Sequence, residues 1–104
     1  MYVILTSKPD LYTSSLEGRA TIVETYRYMF YGRCKAIFEI AELDRDAKVT
    51  ITESEPPFVR NQVSTKFLDH FETREQARAE LDHLTRFGGL QASLERCDAR
   101  EAGV

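Results

Sequence analysis

From Ala20 to Leu43 the chain is one long stretch of strand chemistry, broken at a single point by Gly32. β-Branched and aromatic residues fill both halves, and glycine accepts the positive φ that tight hairpin turns demand. A two-residue turn at Tyr31-Gly32 or at Gly32-Arg33 therefore predicts a long antiparallel hairpin. Nothing else in the sequence constrains the fold as strongly, because turn and register together decide which side chains share a face.

Both turns predict the same two faces. One carries Val23, Thr25, Arg27, Met29 and Tyr31 with Cys34, Ala36, Phe38 and Ile40, and it is almost wholly apolar. The other carries Ile22, Glu24, Tyr26, Tyr28 and Phe30 with Arg33, Lys35, Ile37 and Glu39, an aromatic ladder edged by cations. The first is expected to form core and the second to stay open. Arg27 stands out among its apolar neighbours, since a buried guanidinium must find a carboxylate or reach the rim.

Tyr2 to Ser7 reads as a first strand, ending at the turn residues Lys8-Pro9-Asp10. Residues 8 to 19 are polar and read as a loop. Asp44-Arg45-Asp46 makes a charged turn before Lys48 to Glu53, which alternates with period two, and Pro56-Pro57 ends that strand. KFLDHF at 66 to 71 suits one or two helical turns. Thr73 stands three residues before Gln76 as in a capping box, and Arg74 to Arg86 follows as an amphipathic helix closed by Gly88-Gly89. Leu90 to Cys97 alternates again.

The expected fold is α+β: an antiparallel sheet of about five strands in the order β-β-β-β-α-β, with one main helix packed on one face. Strands two to four should form a meander. Residues 1–97 are expected to make a single domain and 98–104 a frayed tail. The predicted core is Val3, Leu5, Met29, Phe38, Ile40, Val49, Ile51, Phe67, Phe71, Ala77, Leu81 and Leu84.

Charge narrows the functional classes. Fourteen Lys+Arg against 17 Asp+Glu give a net charge of -3, which disfavours nucleic-acid binding driven by counterion release. No apolar run approaches the roughly 20 residues of a membrane-spanning helix. The N-terminal MYVILTSKP lacks the basic region of a secretory signal, so a cytoplasmic protein with reduced thiols at Cys34 and Cys97 is expected.

The chemistry-bearing motifs are sparse. Asp-His pairs occur in LDHF and LDHL, but helix neighbours at i, i+1 do not face each other. His70 and His83 lack metal-pair spacing, so no metal is expected, and no glycine-rich cradle suggests a nucleotide cofactor. YGRCKAIFEI resembles the RNP1 word of RNA-binding sheets only in part, lacking its second Gly/Ala-Phe step.

FYGR at 30 to 33, IAEL at 40 to 43, PP at 56 to 57, KFL at 66 to 68 and LTRFG at 84 to 88 together resemble a family of short proteobacterial proteins. That resemblance implies a bacterial cytoplasmic origin and transfers no active site. At the level of fold, the chain is also similar to dimeric α+β barrel proteins, although it lacks an evident helix between its first two strands.

The expected function is non-catalytic binding. Tyr26, Tyr28, Phe30, Arg33 and Lys35, with Arg27, form the candidate surface for a homodimer or protein partner, with a small-molecule ligand as a further partner class. The enzymatic alternative is a small dimeric isomerase or oxygenase acting on an aromatic molecule, in a pocket that reaches Arg27 and is lined by a histidine.

Overall fold

The computed structural model describes residues 1–18, 20–86 and 92–97. Among the described residues seven strands occur, in the order β1 (Tyr2–Ser7), β2 (Tyr12–Glu17), β3 (Ala20–Phe30), β4 (Arg33–Leu43), β5 (Lys48–Glu53), β6 (Arg60–Ser64) and β7 (Ala92–Cys97). A 3-10 turn at Thr65–Phe67 and helix α1 at Arg74–Thr85 lie between β6 and β7. The class is α+β and every pairing is antiparallel. The strands form two sheets, β1-β4-β3-β7 and β2-β5-β6, instead of one sheet of about five.

The expected meander stops at β4. Asp46 and Ala47 are tied to Thr65: the Thr65 hydroxyl donates to Asp46 Oδ1 at 2.9 Å and accepts from the Ala47 amide at 2.9 Å. This link draws the chain after β4 away from its own sheet and starts β5 beside β6. The polar stretch read as a loop contains β2. Its hydroxyls are used at the junction with β1, where the Ser14 hydroxyl donates to the Thr6 carbonyl at 2.5 Å and Ser7 Oγ accepts from the Ser14 amide.

Two apolar layers result. Val3, Leu5, Ala41, Leu43 and Val49 are buried between the sheets. Ile40, Ala77 and Leu81 are buried beneath α1, packed against Tyr2, Ile4, Val23, Tyr26, Phe38, Phe71 and Leu94. The middle of the larger sheet is thus covered on both faces, which is why β4 buries Ile40 and Ala41 in succession. α1 begins as its cap predicts: the Gln76 amide donates to Thr73 Oγ1, and Gln76 Oε1 accepts from the Glu72 amide. The glycines expected to close it, and the tail at 98–104, lie outside the described residues.

Two predicted core residues are exposed. Phe67 sits at 74% exposure in the 3-10 turn with Lys66 Nζ 5.2 Å from its ring centroid, and Leu84 is 54% exposed near the end of α1.

The central hairpin forms, but its faces differ from expectation. Phe30 pairs with Arg33 and Met29 with Cys34, as a turn at Tyr31-Gly32 requires, whereas Tyr28 pairs with Ala36. Lys35 is the extra residue of a β-bulge. A one-residue slip sends every following side chain to the opposite face, so Tyr28, Tyr26 and Glu24 lie with Ala36, Phe38 and Ile40 on the helix side. A second shift, with Val23 as the extra residue, restores the first register at Ile22↔Ala41.

Candidate functional site

The bulge scatters the six predicted binding residues into three environments. Tyr26, expected on an open face, is half-buried beneath α1 and its hydroxyl donates to Glu24 Oε1 at 2.5 Å. Arg27, expected in the core, is exposed on the opposite face of the sheet, paired with Ile37 on one side and Glu95 on the other. Neither its predicted burial nor its need for a rim survives the change of register. Tyr28, Phe30, Arg33 and Lys35 remain together near the hairpin tip.

Glu24 anchors the first environment, and sequence reasoning missed it. Its side chain is shielded completely from solvent, yet it meets Arg78 Nε at 2.7 Å, Arg74 Nε at 2.9 Å and Arg96 Nη1 at 3.9 Å. Burial by itself would raise this carboxyl. Hydrogen bonds from Arg78, Tyr26 and Arg74 together outweigh burial and hold it at about 2. The same contact raises the Arg78 guanidinium, while burial and then Glu24 raise the Tyr26 phenol. A carboxylate fixed in its charged form, beside a phenol fixed in its neutral form, is poorly suited to proton transfer near neutrality. The cluster clamps α1 onto β3.

The second environment is a groove of about 550 Å³ between the end of α1 and the larger sheet. Tyr28, Ala36, Phe38, Leu11 and Leu84 supply its apolar lining, with Lys8, Lys35 and Asp10 also lining it. Lys35 reaches this place because it is the bulged residue. Neither Arg27 nor a histidine lines the groove. His70 instead lies with Nε2 2.9 Å from the Thr65 carbonyl and 3.3 Å from Asp46, at the other end of β5, and His83 is exposed on α1.

The groove belongs to a larger feature. The β1–β2 turn, the β3–β4 turn, the β5–β6 loop and the end of α1 all project from one end of the molecule. Ser54 joins the loop to the turn, its amide donating to the Leu11 carbonyl and its hydroxyl to the Pro9 carbonyl. Five of the seven large hydrophobic side chains exposed among the described residues lie in these segments: Leu11, Tyr31, Phe58, Val59 and Leu84. Tyr31 packs edge-on against Phe30 with centroids 4.5 Å apart. Tyr31 and Phe58 both have positive φ, 52° and 55°, a conformation that costs a non-glycine residue energy.

No group of His, Cys, Asp or Glu that could hold a metal ion occurs among the described residues, and no helix among them is long and apolar enough to cross a membrane. Comparison with protein-family models, with curated proteins and with solved structures finds no match for the chain.

Proposed function

We propose that the protein is a non-catalytic binding or accessory protein that associates with a second copy of itself through its loop end. The observation that carries this reading is the presence there of five exposed large hydrophobics drawn from four segments. Monomeric proteins seldom gather exposed apolar groups in this way without using them.

The charges at that end favour a second copy as the occupant. Lys8, Asp10, Arg33, Lys35, Glu53 and Glu55 are all exposed in or beside the segments that form this end, so the surface carries both signs. A two-fold interface sets one patch against itself, and a mixed-sign rim can complement its own image where a single-sign rim would repel. The enzymatic alternative has no comparable support, because the groove meets neither Arg27 nor a histidine.

Sedimentation velocity over a wide concentration range tests the proposal. The wild type is expected to dimerise, and Leu11→Ser combined with Leu84→Ser to remain monomeric with an unchanged circular dichroism spectrum. A wild type that stays monomeric to millimolar concentration overturns the reading.

A further inference from the structure

β1 is an outer strand of the larger sheet and β6 of the smaller, and a cleft of about 270 Å³ opens beside them into the layer between the sheets. Its walls include the buried core residues Leu5 and Val49, together with Ile51, Val63 and Leu68. No charged side chain among the described residues lines it. Three hydroxyl-bearing residues line it, Thr6, Tyr12 and Ser14. The hydroxyl of Ser14 is committed to the Thr6 carbonyl. Those of Thr6 and Tyr12 make no hydrogen bond among the described residues, and the phenol of Tyr12 has the longer reach.

We propose that this cleft binds a neutral, largely apolar small molecule of bicyclic-aromatic size, with one hydroxyl or carbonyl group that meets Tyr12. The chemistry follows from the lining. A charged ligand would give up its hydration with no counter-charge to replace it, whereas an apolar surface gains by displacing water. The size follows from the volume, since an apolar cavity of about 150 Å³ suffices for benzene. The site is separate from the loop-end groove in both place and character: that groove carries two lysines and this cleft carries none.

Titration of the full chain with 2-naphthol, followed by methyl NMR at a dilution where the protein is monomeric, tests the proposal apart from self-association. Saturable shifts are expected at Val49, Ile51, Val63 and Leu68. 2-Naphthoate, similar in shape but charged, is expected to bind at least about tenfold more weakly. Val63→Phe should abolish binding by filling the cleft, and Tyr12→Phe should remove the preference for 2-naphthol over naphthalene while leaving the shape intact. Absence of saturable shifts in the wild type overturns the proposal. So does equal binding of 2-naphthoate, or a Tyr12→Phe protein whose preference is unchanged.

Discussion

Arg78 Nε lies 2.7 Å from Oε1 of Glu24, a carboxylate with no solvent-exposed side-chain surface, and the two residues join α1 to the middle of β3. Removing either partner from a buried pair leaves the other without its counter-charge, which destabilises more than the net value of the intact pair. Arg74 and Tyr26 still hold the carboxylate in Arg78→Ala, so that variant should fold but show a lower urea midpoint than wild type.

The same cluster sets an acid limit. The folded carboxyl of Glu24 titrates at about 2 against an ordinary 4.5. A depressed acid contributes stability that is fully present above the unfolded value and is lost as pH falls through the folded one. Wild type should therefore lose on the order of 2 kcal/mol from this residue between about pH 5 and pH 2, after allowing for the partly exposed arginines. Glu24→Gln should be less stable at neutral pH, and its deficit should shrink across that window when urea midpoints are compared.

Glu39 gives the opposite sign. Burial raises its carboxyl, so the folded state disfavours its charged form and stability falls as pH rises through the titration. Glu39→Gln is expected to raise the melting temperature at pH 7 and to have little effect at pH 3. A lower melting temperature at pH 7 would show that the carboxylate has a stabilising partner.

The turn at Tyr31-Gly32 has positive φ at both central residues, 52° and 73°, as a type I′ turn requires. Asn-Gly is the favoured pair there, and Tyr31→Asn should stabilise the hairpin by about 0.5–1 kcal/mol. If Tyr31 is part of the self-association surface, the same change weakens the dimer. A folded chain that gains stability and loses association would show what the strained tyrosine is retained for.

Thr25 presents a simpler case. Its hydroxyl is buried with no hydrogen-bond partner among the described residues. Thr25→Val keeps the shape and removes the unsatisfied group, so a gain of about 1 kcal/mol is expected in denaturant unfolding.

Legibility in the sequence followed the chemistry of each element. The β3–β4 hairpin and the Thr73–Gln76 cap could be read because glycine, threonine and glutamine act locally at fixed spacings. β2 and β6 could not, because Tyr-Thr-Ser-Ser-Leu-Glu and Arg-Asn-Gln-Val-Ser show no sustained apolar alternation. They are the outer strands of the smaller sheet, and their ladder bonds come from backbone groups that leave no trace in composition. Within the candidate site, the joining of Tyr28 and Lys35 to Ala36 and Phe38 was hidden by the bulge itself, since lysine there looks like any strand-surface residue. The Glu24 clamp was hidden for the same reason, and also because its arginines arrive from positions 74, 78 and 96.

Lys35 and Val23 act as a frameshift and its suppressor, written in strand pairing instead of codons. Between them the ladder is read out of phase, and outside them it is in phase. Only the out-of-phase segment brings Glu24 to the arginines of α1 and tucks Tyr26 beneath it. Deleting Lys35 should therefore be tolerated better than a deletion elsewhere in β4, because Met29↔Cys34 and Tyr28↔Ala36 would become consecutive pairs and Tyr28, Tyr26 and Glu24 would stay on the helix side. Deleting Val23 as well would join Ile22↔Ala41 directly to Glu24↔Ile40 and leave a regular ladder with the native contents, whereas keeping both residues and pairing them would give the wrong ones.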